Sequence, residues 1–239
     1  RLEYRGYDSA GVATLDQNQN PTLLRAVGKI VNLEAKIKDH YTSDHIGIGH
    51  TRWATHGNPS ETNAHPHHVG SIFLVHNGII ENYKALKKEL SEKYQFKSET
   101  DTEVLAALID SFYQESHNLL DSVTQALKLV SGTYGIAVMS VDDTEHLVVA
   151  RSGSPLVIGV GEHETLIASD ASALIGNTKN AIYLNDGEVA LISKDHVEVK
   201  PLDLQPVSVK VEKILTDLSA IQKGGYDHFL LKEIMEQPD

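Results

Sequence analysis

The sequence predicts an α+β fold in which antiparallel sheet is the main component. Short apolar segments follow one another between residues 134 and 202, separated by turns too brief for crossover helices, and such spacing means antiparallel pairing. Up to residue 206, helical periodicity falls at residues 29–40, 83–94, 101–113 and 121–130, ahead of those strands or in the middle of the chain, rather than alternating with them. With 41% apolar residues, the 239-residue chain can bury a sizeable core in one domain, or in one domain plus a tail.

The polar run Tyr4-Arg5-Gly6-Tyr7-Asp8-Ser9-Ala10-Gly11 leads into a strand at 12–15. The cluster Asp16-Gln17-Asn18-Gln19-Asn20-Pro21 then forms a turn, and residues 22–27 return as the second arm of a hairpin. Arg5 and Asp8 read most simply as a surface pair. Ile30, Leu33 and Ile37 share one face of a surface helix. Ile46-Gly47-Ile48-Gly49 is a short buried strand, and His50-Thr51-Arg52-Trp53-Ala54-Thr55-His56-Gly57 continues from it. That octet concentrates an arginine, the chain's one tryptophan, two threonines and two histidines, all of which need partners if buried. It is either a satisfied polar strand end or a binding site.

Residues 71–75 are strongly apolar and predict a strand that ends at Asn77-Gly78. An Asn-Gly pair ordinarily makes a hairpin, yet Tyr83, Leu86, Leu90 and Tyr94 follow at helical spacing. A strand end carrying an amide side chain and an unhindered glycine N–H offers two donors to an oxyanion. In the loop 58–70, His65, His67 and His68 crowd around Pro66 without the ligand spacing of a zinc motif, and no metal site is expected. Thr100-Asp101-Thr102-Glu103 has capping-box form, with Thr100 as N-cap and Glu103 as its reciprocal partner. Asp101 then lies in the first turn, where a carboxylate favours the helix dipole. The helix at 121–130 is expected to cap at Gly132. Strands are expected at 134–141, 146–151, 155–161, 165–168, 181–184, 189–192 and 197–202, and Arg151-Ser152-Gly153-Ser154-Pro155 is a turn rather than a phosphate loop. Beyond Pro206 the pattern loosens through 207–215 and a Gly224-Gly225 break to a last helix near 227–236.

Composition narrows the function classes. A net charge of -12 excludes a nucleic-acid partner of the usual phosphate-binding kind, which requires a basic face. No apolar run is long enough for a membrane helix. The chain has no cysteine, which excludes disulfides within it and agrees with a cytoplasmic setting.

Five motifs in order, YRGYDSAG (4–11), HTRWATHG (50–57), NAHPH (63–67), HNGIIEN (76–82) and SETDTE (98–103), resemble the glutaminase domain of the isomerizing glutamine–fructose-6-phosphate aminotransferases, also called glucosamine-6-phosphate synthases. The similarity runs from residue 1 to about residue 202, and Lys232-Glu233-Ile234-Met235-Glu236-Gln237-Pro238 is similar to the start of that family's linker. The resemblance implies a class-II amidotransferase domain at 1–206, built as a four-layer αββα sandwich of the N-terminal-nucleophile type, with its first strand and helix missing. It further implies that 207–239 form the domain end and the start of a linker to an isomerase half that binds the sugar phosphate. No candidate for that half lies in these residues.

By the same resemblance the substrate is L-glutamine, without cofactor, in a parent enzyme that is a homo-oligomer. Arg52 holds the substrate's α-carboxylate, Asp101 its α-ammonium, Asn77 and Gly78 form the oxyanion hole, and Thr55 and His56 complete the pocket wall. Trp53 either gates an ammonia path or packs in the core, and Arg5 and Asp8 line or brace the active-site side. One departure stands against these agreements: the family's nucleophile is an N-terminal cysteine whose α-amine serves as general base, and the chain has neither. It reads as an N-terminally truncated amidotransferase domain, inactive by itself. The alternatives are the glutaminase domain of another class-II amidotransferase, such as amidophosphoribosyltransferase or asparagine synthetase, and a non-catalytic glutamine-binding module.

Overall fold

Apolar residues on both faces of a strand require a covering layer on each side, and the longest strands of this chain have that pattern. In the computed structural model, which describes residues 2–38, 40, 44–54, 57–202 and 211–214, they form a six-stranded antiparallel sheet. Its order is β12 (Val197–Pro201), β11 (Glu188–Ile192), β7 (Asp143–Ser152), β6 (Gly132–Ser140), β5 (Ile72–Ile80) and β4 (His67–Val69). Along β5, Ile72 and Leu74 face one core while Phe73 and Val75 face another. On β6, Ile136 and Val138 are separated from Ala137 and Met139 in the same way.

The first of these cores is closed by three helices, α2 (Tyr83–Leu90), α3 (Asp101–Ser116) and α4 (Leu119–Lys128), whose Leu86, Val104, Leu105, Ile109, Val123 and Leu127 pack on the sheet. The second is closed by two smaller sheets. One has the order β2 (Pro21–Val27), β1 (Ser9–Leu15), β3 (Ile46–Arg52); the other has β13 (Glu212–Lys213), β10 (Asn180–Tyr183), β8 (Val157–Val160), β9 (Thr165–Ala168). Ala13, Leu15, Ile48, Ile158 and Ile182 are their contributions to that core. Helix α1 (Ile30–Lys38) covers the far side of β1 and β2 through Leu33 against Ala10 and Ala26. The layers therefore run helix, sheet, sheet, helix, the αββα order implied by the resemblance.

Three local expectations are corrected. The strand at 71–75 does not end at Asn77-Gly78: β5 continues to Ile80, because β6 supplies a partner for every residue through Ile80↔Gly132. Gly78 stays in the ladder at φ +138, where an added Cβ would lie 2.1 Å from the Thr133 carbonyl oxygen, so glycine is required for pairing and not for a turn. Helix α4 ends at Leu129, which is right-handed, and Gly132 instead opens β6. The capping box is one-sided: Thr100 Oγ1 accepts from Glu103 N, but the Glu103 carboxylate accepts from Lys97 N, Ser98 N and Ser98 Oγ rather than from Thr100. Ser98 Oγ takes the Thr100 N–H in its place, so the N–H groups of Thr100 and Glu103 both have partners at the α3 entrance.

Glu212 and Lys213 pair with β10, and Ile214 is buried beside Val157 and Ala181, so the four-stranded sheet extends past residue 210. The helix expected near 227–236, the Gly224-Gly225 break, Thr55 and His56 lie outside the described residues, as do the side chains of Tyr4 and Arg5. Among the described residues no helix is long and apolar enough to cross a membrane.

Candidate active site

Strand β3 and strand β9 are each the last strand of their sheet, and residues of both line a single cleft of about 860 Å³. Arg52, at the C-terminal end of β3, and Asn77 and Gly78, within β5, border that cleft together with Asp101, the first residue of α3. Residues far apart in the chain thus share one cavity because three layers meet there: the edge of the small sheet, the middle of the large sheet and a helix N-terminus.

Arg52 is 4% exposed. Its Nη2 donates to the Gly57 carbonyl at 3.3 Å and its Nη1 lies 3.6 Å from Asp8 Oδ1. Asp8 is therefore a partner of Arg52. It also accepts from Ser9 Oγ at 2.9 Å and from Ala54 N, and its own N–H donates to the Arg52 carbonyl at 2.8 Å. One carboxylate thus touches both the guanidinium and the chain just after it, a brace that the sequence spacing of Asp8 and Arg52 does not disclose.

Asp101 is buried yet forms no ion pair among the described residues. Its Oδ2 accepts from Ile80 N at 2.8 Å, and its place at the start of a 16-residue helix favours the carboxylate electrostatically. Asn77 Oδ1 accepts from His50 Nε2 at 2.8 Å. Trp53 is 71% exposed, with its ring against Gly6, and is not part of the core formed by the described residues.

Behind these groups lies a buried set of imidazoles. His50 stacks on His65 with ring centroids 4.4 Å apart, and His65 meets His67 edge-on at 5.0 Å. His67 Nε2 bonds to Thr100 Oγ1 at 3.0 Å, and His76 Nδ1 to Thr102 Oγ1 at 3.1 Å. All four are held in the neutral form. Burial lowers His50 to about 4 and His67 to about 3, and it pushes His65 well below the ordinary range. His76 is lowered by burial too, against the opposing attraction of Asp101. Among the described residues no three His, Asp or Glu side chains converge as metal ligands.

Comparison with known sequences places this architecture. A glutamine amidotransferase domain model matches residues 9–223. The chain belongs to that family. The amidotransferase domain is 49% identical over 247 residues to a glutamine–fructose-6-phosphate aminotransferase [isomerizing] of Chlorobaculum tepidum, covering 100% of this chain and 40% of the relative. It is 49% identical over 249 residues to the protein of the same name in Methanosarcina mazei, covering 99% and 40%. The chain thus spans about two-fifths of the length of these relatives. Among solved structures, the glutamine phosphoribosylpyrophosphate amidotransferase of B. subtilis superposes with a TM-score of 0.68 at 27% identity, over 84% of this chain and 44% of that one. A glutamine aminotransferase class-II domain protein from Silicibacter pomeroyi, at 17% identity and TM-score 0.58, shares the fold over 80% and 90% of the two chains. The fold is that of the N-terminal-nucleophile amidotransferases.

Proposed function

We propose that the cleft between β3, β5 and α3 is the glutamine site of the glutaminase half of an isomerizing glutamine–fructose-6-phosphate aminotransferase. The observation that carries this is the convergence on one cavity of a cation, a carboxylate without an ion pair among the described residues and a pair of amide donors, the three things a glutamine pocket requires. In this reading Arg52 grips the α-carboxylate with a guanidinium already oriented by Asp8. Asp101 supplies the negative charge for the α-ammonium. Asn77 Nδ2 and the Gly78 N–H receive the oxyanion. Residues 1–206 form the glutaminase domain, 207–239 its end and linker, and fructose 6-phosphate is bound by a separate isomerase half of a cytoplasmic homo-oligomer. The 49% identity to the glutamine–fructose-6-phosphate aminotransferases, against 27% to the phosphoribosylpyrophosphate amidotransferase, favours this acceptor.

The reaction needs a nucleophile that these 239 residues do not contain, since there is no cysteine. A cysteine thiolate attacks the glutamine Cδ, the carbonyl electrons move onto oxygen between Asn77 and Gly78, and the amide nitrogen leaves as ammonia after protonation. Water then cleaves the thioester to release glutamate. The edges of β3 and β9 line the same cleft, so an extended cysteine-bearing segment laid along either would present its thiol to the site.

Glutamate binding measured by calorimetry tests the pocket. Arg52→Ala is expected to weaken it by well over about 1 kcal/mol, more than about fivefold, because a charge-assisted, two-pronged contact is lost. An unchanged dissociation constant would remove Arg52 from the site.

A further inference from the structure

We propose that His50 is a positioning residue that fixes which face of the Asn77 amide looks into the cleft. This rests on the reading of Asn77 as an oxyanion donor. His50 stands on β3 and Asn77 on β5, in facing sheets, so their 2.8 Å contact bridges two layers at the wall of the cavity. The other ring nitrogen, Nδ1, is buried and has no hydrogen-bond partner among the described residues. A buried N–H without an acceptor is rarer and costlier than an unused lone pair, so the proton sits on Nε2 and is donated to Asn77 Oδ1. With its oxygen held there, the Asn77 amide turns its NH2 away from His50, leaving it for the oxyanion that this reading also assigns to the Gly78 N–H. An amide free to rotate would offer oxygen to the developing anion in its other orientation and repel it.

The ring has little freedom to abandon this task. His65 stacks against it, the His65 Nδ1 accepts from His76 N at 3.4 Å, and the edge contact to His67 leads to Thr100 at the mouth of α3. The groups facing His50 are His65, His76, Arg52, Asp8 and Asn77, and burial keeps the ring neutral among them. A second proton would have to enter at Nδ1, where nothing accepts it.

The test uses the full-length, cysteine-bearing protein and reads ammonia release from glutamine. His50→Leu is expected to lower kcat by about 10- to 100-fold, short of losing a donor outright, with KM and the glutamate dissociation constant within about twofold. His50→Gln, which restores an N–H donor, is expected to recover most of that loss. In an Asn77→Ala background, His50→Leu should cost nothing further, since the residue it positions is gone. Equal losses in the Leu and Gln variants, additive losses with Asn77→Ala, or an unchanged kcat in His50→Leu would each overturn the proposal. No ammonia from the unsubstituted protein would overturn the glutaminase reading itself.

Discussion

Replacing Asn77 with alanine in a full-length, cysteine-bearing form of this protein is expected to lower kcat for ammonia release by about 100- to 1,000-fold, with little change in KM. The split follows from where the charge is. In the proposed site glutamine in its ground state is held at its α-carbon end by Arg52 and Asp101, so truncating Asn77 leaves those contacts intact. The tetrahedral intermediate places a full negative charge where Asn77 Nδ2 and the Gly78 N–H meet, and only Gly78 would remain to receive it. The Gly78 donor itself depends on the backbone: φ +138 and the closeness of the Thr133 carbonyl restrict the position to glycine. Steady-state kinetics with glutamine checks the expectation, and a kcat within about threefold of the unsubstituted protein would remove Asn77 from the oxyanion hole.

The histidine set behind the site should make the domain acid-labile. His50, His65 and His67 are neutral in the folded chain, with His50 at about 4 and His67 at about 3, whereas an unfolded histidine titrates near 6.5. Below 6.5 the unfolded chain takes up protons that the folded one refuses. Stability is therefore complete above about 6.5 and falls as the pH drops toward 4. At pH 5 His50 and His67 each cost about 2 kcal/mol, on the order of 4 kcal/mol together and a large part of the whole stability of many domains, and His65 acts in the same direction. Urea unfolding followed between about pH 7.5 and 5 measures this directly. A stability that stays level over that interval would mean that these rings are already solvated or charged in the folded state.

How much of this was legible in the residues differs from level to level. The helices and strands followed from periodicity because alternation and the 3.6-residue repeat are local properties, as at 72–75 and 104–109. The four-layer order came from family resemblance; periodicity alone could not say that β1–β3 and β8–β10 would share a layer. At Asn77-Gly78 the local signal misled, since a turn-forming pair was absorbed into a strand by the long-range partner β6. The proposed site residues Arg52, Asn77, Gly78 and Asp101 were nameable from motifs and the family resemblance. The resemblance also implied a bracing place for Asp8, but neither its contact with Arg52 across neighbouring strands nor that of His50 with Asn77 across two layers is encoded in any spacing. The signal that pointed nearest to them was the excess of histidines in 50–76, too many to be idle in a buried stretch. Trp53 is a separate case, because its indole lies largely in solvent although aromatic character alone favours a core.

The central claim is that this chain supplies the glutamine pocket and the oxyanion hole while the thiol comes from a segment outside its 239 residues. Ammonia and glutamate formed from L-glutamine, measured side by side for the 239-residue chain and for the same chain carrying its cysteine-led N-terminal segment, test it most directly. Equimolar ammonia and glutamate from the cysteine-bearing form, with no turnover above background in the cysteine-free one, is the expected result. Turnover by the cysteine-free chain would contradict the account, because it would mean that a hydroxyl or imidazole within these residues performs the attack.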